Sequence, residues 1–192
     1  MKSTLKLYLF LICVVALSPL LAITIIQWKI TRKETFFQGA SQLLSLIPFK
    51  LGTYFRAAFY ASVCKDVDRE VAISFLTLLS HIDTDIGRNV YIGPQSNIGS
   101  CSVGSDCVIG SGVHILSGKH QHDFSSTDQL IRKQGGEYEK IQIGEDCWIG
   151  NHATILATVG AHCVVAAGSV VVNEVPERSI VAGNPARILK SR

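Results

Sequence analysis

Along its C-terminal half the chain repeats β-branched residues at a period of six, and few folds tolerate that period. Ile86, Ile92 and Ile98 stand six apart, Val103 follows after five, and Ile109 and Ile115 resume the six. After an interruption the series continues through Ile143, Ile149, Ile155, Val159, Val165 and Val171, and eight of the twelve are followed directly by Gly. An amphipathic helix repeats near 3.6 residues and a strand at 2, so neither alone places Ile and Val in this way. Short strands joined by turns, three to a coil, do so in a parallel β-solenoid.

In such a solenoid each Ile or Val points inward from a flat face, where its stiff χ1 suits the pleat. The following Gly is expected to supply the tight or positive-φ geometry of a corner. Four residues after each Ile or Val stands a smaller inward candidate: Val90, Ser96, Ser102, Cys107, Val113, Cys147, Ala153, Cys163 or Ser169. If the interruption leaves the face count unchanged, Val103, Ile143 and Val159 share a face. Cys107, Cys147 and Cys163 then form a column stepping about 4.8 Å per coil. Such a column reads as small apolar packing without chemistry.

The same residues carry a resemblance. The run from Ile82 to about Lys190 resembles the hexapeptide-repeat acyltransferases, with "CWIGNHATI", "AAGSVV" and "VAGNPARI" similar to motifs of the galactoside, maltose and surface-polysaccharide O-acetyltransferases. The resemblance implies an all-β, left-handed parallel β-helix; the period by itself implies only a solenoid. It also implies an acetyl-CoA donor and closure as a homotrimer with active sites between subunits. Carried onto this sequence, it places Trp148 and Asn151 beside the pantetheine channel, gives Ala167 and Gly168 close backbone approach, and sets Arg187 on the nucleotide phosphates. Where the family often has Thr-Lys, this chain has Val172-Asn173, so Lys190 or Arg192 is the substitute phosphate contact. The step from Ile155 to Val159 is two residues short, which tightens one turn.

The interruption, residues 117–142, is longer than a connection requires, and such loops usually carry function. It holds "SGKHQHD" and then "LIRKQGGEYEK", which resembles the run after the catalytic histidine of the sugar O-acetyltransferases. Acyl transfer to a hydroxyl needs a base for the alcohol proton, and an imidazole serves near neutral pH. His120 lies nearer the Gly, whereas His122 forms a His-Asp pair with Asp123. His122 with Asp123 is the preferred assignment, and His120 the alternative.

Three regions are expected: an anchor helix over 1–30, a membrane-proximal helical region over 31–70, and the β-helix over 71–192. The mean hydropathy of +0.30 is high for a wholly water-exposed chain. Its source is Leu7 to Ile26, 20 residues without a charge, long enough to cross about 30 Å of hydrocarbon. A signal peptide is the alternative, but Lys29, Arg32 and Lys33 directly follow the run, as beside a retained anchor. Basic residues on both sides favour a cytoplasmic C-terminal domain only slightly. The stretch Leu43 to Val63 reads either as an interfacial helix embedding Phe49, Tyr54, Phe55, Phe59 and Tyr60, or as a helix packed on the domain. A net charge of +3 without a basic patch argues against nucleic acid. The six cysteines have no metal-type spacing and read as free thiols of a reducing compartment.

The expectation is therefore an acetyltransferase at the inner (cytoplasmic) membrane, its catalytic domain facing the cytoplasm, acting on a sugar or envelope-glycan hydroxyl without a metal. A serine or amino-sugar acceptor is the alternative. Two readings of other classes are a silent membrane-tethered scaffold and a γ-carbonic-anhydrase-like metalloenzyme drawing on His81, His114, His120, His122, His152 and His162.

Overall fold

The computed structural model describes residues 2–192; Met1, the first residue of the expected anchor, and the Lys2 and Ser3 side chains lie outside what is described. Three helices come first: α1 (Lys2–Thr31), α2 (Thr35–Ser45) and α3 (Phe49–Val63). Short strands then wind into coils. The first holds β1 (Asp66–Val67), β2 (Ala72–Ile73) and β3 (Leu78–Leu79), and the second β4 (Asp85–Ile86), β5 (Tyr91–Ile92) and β6 (Asn97–Ile98). The third holds β7 (Cys101–Val103), β8 (Val108–Ile109) and β9 (His114–Ile115). After the loop come β10 (Ile141–Ile143), β11 (Trp148–Ile149) and β12 (Thr154–Ile155), then β13 (Val164–Val165) and β14 (Val170–Val171). An antiparallel hairpin of β15 (Ser179–Gly183) and β16 (Ala186–Ser191) ends the chain.

The strands stack as three parallel sheets, a left-handed parallel β-helix. Sheet A is β1-β4-β7-β10, sheet B runs from β2 to β15 and β16, and sheet C is β3-β6-β9-β12-β14. All twelve repeat residues are buried, from Ile86 to Val171. Val103 pairs with Ile143 and Ile143 bridges Val159, so the interruption leaves the face count unchanged. Beyond β10, sheet A continues only as single bridges through Val159 and Val175, where the four-residue steps leave no room for a strand.

Two local expectations are corrected. The Gly residues after Ile and Val do not have positive φ; that conformation falls later in each turn, at Asn89, Gln95, Asp106, Asp146, His152 and His162. The glycines are needed for coil stacking: a Cβ on Gly87 would stand 2.6 Å from Ser105 N, and one on Gly104 2.5 Å from Glu145 N. Ser102 faces outward and Cys101 inward, because the five-residue step from Ile98 shifts the alternation of β7 by one residue. The cysteine column does form. Cys147 N–H donates to Cys107 Sγ and Cys163 N–H to Cys147 Sγ, each at 3.4 Å.

The solenoid begins at Asp66, inside the region 31–70 expected to be helical and membrane-proximal. Val67, Ile73 and Leu79 are buried as in later coils, but none precedes a Gly, and the step from Leu79 to Ile86 is seven. Across this first coil lie α2 and α3. Phe37, Phe59 and Tyr60 are buried with ring centroids 5.4–6.0 Å apart, so Phe59 and Tyr60 pack within the protein and do not embed in a bilayer. Phe49 alone of the five aromatics is strongly exposed, at 88%. Helix α1 buries only the stripe Cys13, Leu17, Leu21 and Thr24, while Ile12, Val15, Ile23 and Ile26 remain exposed.

Arg56 joins the helices to the solenoid. Its guanidinium is 1% exposed and donates to Leu44 O (2.9 Å), Ile47 O (2.9 Å) and Ile73 O (2.8 Å). Two of these carbonyls lie at the C-terminal end of α2, where the macrodipole favours a cation.

A second tie joins the α1–α2 link to the solenoid. His81 Nδ1 lies 2.9 Å from Glu34 Oε2, and Ile82 N–H donates to Glu34 Oε1 at 2.8 Å. The bond to Glu34 raises the His81 pKa against the opposing effect of burial. Burial works to raise the Glu34 pKa, but the bonds from His81 and Ile82 outweigh it and lower it. A raised imidazole pKa stabilises fully below the unfolded value, about 6.5, and is lost as pH rises through the folded one. A lowered carboxyl pKa stabilises above about 4.3 and is lost as pH falls through the folded one. The tie is therefore tightest between about pH 4.5 and 6.5. The melting temperature gap between the parent chain and His81→Ala is expected to be widest in that window and smaller at about pH 9. An unchanging gap would show that packing against Tyr138, not charge, makes the contact.

Candidate active site

Between β9 and β10 the chain leaves the corner joining sheet C to sheet A and folds back on itself. Glu139 N–H donates to Ser117 O, Glu137 N–H to His120 O and Asp123 N–H to Gly135 O, which lays the two limbs side by side. The Gln134 carboxamide clamps the tip: its oxygen accepts from Ser126 N–H, and its nitrogen donates to Ser126 O and Gln129 O. Gly136 permits the close crossing, since a Cβ there would collide with the Gln121 carbonyl. Lys140 anchors the return, donating to Asp83 O and pairing with Asp85 at 2.8 Å.

On this loop His120 and His122 are both exposed, and among the described residues neither imidazole has a hydrogen-bond or ion-pair partner. Asp123 does not orient His122. Its carboxylate accepts from Ser125 N–H at 2.9 Å, and that bond holds its pKa below the ordinary value. The His-Asp adjacency that ranks His122 first thus has no counterpart as a contact within one chain, and the loop presents both imidazoles as proton acceptors.

The residues assigned to coenzyme A gather elsewhere, along sheet B and the corner joining it to sheet C. Trp148 is 58% exposed on the outer face of sheet B, in register with Val108 and Val164. At the adjoining corner Asn151, Ala167 and Gly168 are exposed on successive turns. Asn151 Oδ1 accepts from Ser111 N–H at 3.0 Å, which leaves its amide nitrogen as a donor for a ligand. Gly168 has φ +69°, and a Cβ there would meet nothing within 4 Å. Its N–H donates to Asn151 O, which leaves the Ala167 N–H as the unused donor of that turn among the described residues. Arg187 and Lys190 are exposed on β16. Arg192, the alternative phosphate contact, pairs with Asp146 at 3.0 Å and lies against a different corner, the one joining sheets A and B.

Within one chain, then, the histidine loop and the residues assigned to coenzyme A stand at opposite edges of sheet C. Sequence reasoning did not single out the small pocket at the base of the loop, about 150 Å³, walled by Ser80, His81, His114, Gln121 and Tyr138. His81 and His114 come from different coils, and no motif connects them. The six histidines are dispersed, and no three of His, Cys, Asp or Glu among the described residues cluster as metal ligands.

Comparison with known proteins agrees with the solenoid fold. Residues 83–117 match the bacterial transferase hexapeptide (six repeats), and residues 140–172 the hexapeptide repeat of succinyl-transferase. The chain is 40% identical over 126 residues to serine acetyltransferase 2 of Arabidopsis thaliana, covering 60% of this chain and 36% of that protein. It is 34% identical over 102 residues to WbbJ of Escherichia coli, named for O-acetyl transfer in lipopolysaccharide biosynthesis, covering 50% and 52%. The chain therefore spans about half or less of the length of these curated relatives. Among solved structures, the hexapeptide-repeat acetyltransferase VCA0836 of Vibrio cholerae superposes with a TM-score of 0.67 at 26% identity, over 80% of this chain and 89% of that one. That protein has also been solved with acetyl coenzyme A.

Proposed function

The chain belongs to the hexapeptide-repeat acyltransferases, and on that premise we propose that it moves an acetyl group from acetyl-CoA to a hydroxyl of a sugar or envelope-glycan precursor. The observation that carries the proposal is the folded loop, which projects two unpartnered imidazoles from a solenoid that also exposes Trp148, Asn151, Ala167 and Gly168 along sheet B and its corner with sheet C. One imidazole, His122 or His120, takes the proton of the acceptor hydroxyl as its oxygen attacks the thioester carbon. The same imidazole then returns that proton to the departing thiolate, so the base is regenerated. Ala167 N–H, Trp148 and the Asn151 amide nitrogen line the donor groove, and Arg187 and Lys190 meet the nucleotide phosphates. A free backbone N–H beside the thioester would steady the developing oxyanion.

The working unit is a homotrimer. Its support is the separation of loop and groove across sheet C, together with Phe124, Leu130 and Ile131, which are apolar yet 56–74% exposed on the loop. The enzyme sits at the inner membrane with its catalytic domain in the cytoplasm. In support of this, Thr4–Thr31 is long and apolar enough to cross a membrane, with mean hydropathy 2.8 over an 18-residue stretch, and all six cysteines are unpaired.

A lipid-linked sugar is the natural acceptor for a tethered enzyme, whereas the 40% identity to a serine acetyltransferase favours free serine as the second reading. A thiol-release screen with acetyl-CoA against serine, free sugars and lipid-linked sugars separates them. Turnover is expected with a sugar hydroxyl and not with serine; turnover with serine alone would reverse the order, and none with any acceptor would remove the proposal.

A further inference from the structure

A pocket of about 390 Å³ opens where α1, α3 and the first coil meet, away from the histidine loop. Its walls include Lys6 and Phe10 from α1, Lys50 and Tyr54 from α3, and Arg69 and Glu70 from the turn between β1 and β2. The pocket lies on the sheet B side of the first coil, whereas the loop leaves the sheet C–sheet A corner of the third.

Three cations face this space with one carboxylate, and among the described residues none of the four is held in an ion pair. Gathering like charges around a partly enclosed space is unfavourable unless an anion enters it. Apart from the hydroxyls of Thr53 and Ser74, the remaining walls are apolar or aromatic, and one of them is the start of α1, whose Leu11, Ile12 and Val15 continue outward exposed. A ligand that suits both is an anion joined to a hydrocarbon chain. Lysines at the end of an apolar helix also lie at headgroup depth in a bilayer.

We propose that this pocket takes the phosphate headgroup of an anionic membrane lipid, with the lipid chains lying along the exposed face of α1. The proposal rests on the membrane reading above and adds a headgroup preference to it. Lys6, Lys50 and Arg69 bind the phosphate, and Tyr54 and Phe10 cover the glycerol end of the chains.

The test uses the full chain, purified in detergent and transferred to vesicles of phosphatidylcholine alone or mixed with phosphatidylglycerol. Flotation should recover the parent chain with both, and more tightly with phosphatidylglycerol. The Lys50→Ala/Arg69→Ala variant should keep its binding to phosphatidylcholine and lose roughly 30-fold in its phosphatidylglycerol preference, about 5-fold per basic residue. Lys33→Ala, at the far end of α1 and outside the pocket, should change the preference less. Unchanged melting of the double variant in detergent establishes that it folds. Equal loss in both variants would mean diffuse surface charge and overturn the pocket. Binding to both vesicles without preference would overturn the headgroup and leave the membrane reading standing, while binding to neither would sink both. Thermal protection in detergent by inorganic phosphate equal to that by short-chain phosphatidylglycerol would assign the pocket to free phosphate and reject the lipid.

Discussion

With both His120 and His122 replaced by alanine, acetyl transfer is expected to fall by about 10²- to 10⁴-fold while acetyl-CoA binding and the melting temperature stay close to those of the parent chain. Both side chains are exposed and unpartnered, so their removal costs little packing. The single variants then identify the base, since one alone should reproduce most of the loss. Asp123→Asn is the informative companion. Within one chain the Asp123 carboxylate serves Ser125 N–H and not an imidazole, so a small effect is expected. A loss comparable with that of the histidine variants would mean that assembly swings Asp123 onto His122, restoring the His-Asp pair suggested by the sequence. If the double histidine variant retained full thiol release with an identified acceptor, the loop would not be the catalytic element.

The second large effect concerns stability. Arg56→Ala takes the guanidinium donor from the buried carbonyls of Leu44, Ile47 and Ile73, of which Leu44 O keeps a bond from Ile47 N–H at 3.3 Å. Bonds to a charged donor contribute about 1.5–3 kcal/mol each, and an orphaned buried carbonyl costs about 1–3 kcal/mol. These figures are not additive, and a net loss of about 3–5 kcal/mol is expected. Arg56→Lys should recover only part, because one ammonium cannot span three carbonyls as the planar fork does. A solenoid transmits stability mainly between neighbouring coils, so the damage should be local. Amide exchange should accelerate by about 10²-fold or more in residues 35–63 and the first coil, with little change beyond β10. Uniform acceleration along the chain would instead make Arg56 part of one cooperative unit with every coil.

Much of the architecture is local and was therefore legible. A β-branched residue every sixth position can be buried only by stacking, so inward residues, faces and the cysteine column follow from spacing alone. Errors arose where a local signal carried two meanings. Gly after Ile suggested a positive-φ corner, but it is there because the next coil passes within contact distance. The expected β-helix from 71 took in β2 and β3 but not β1, and the inward residues of this first coil were not named, because Val67, Ile73 and Leu79 precede no Gly although they pack as later repeats do. Phe59 and Tyr60 admitted both a membrane-embedding and a domain-packing reading, because burial under a bilayer and burial under a protein layer demand the same residue types.

The candidate site divides along the same line. By itself the sequence determined that a β-helix would form, that a loop would leave it near residue 117, and that this loop would carry an imidazole pair, because period and composition act over a few residues. Only the tertiary structure decided that the loop and the residues assigned to coenzyme A stand at opposite edges of sheet C, that Asp123 turns to its own backbone, and that Arg192 is engaged at another corner. It alone brought Lys6, Lys50 and Arg69 to one pocket. Those are relations between residues tens of positions apart, set by which coil and which corner each occupies, and spacing along a chain does not encode the meeting of its faces.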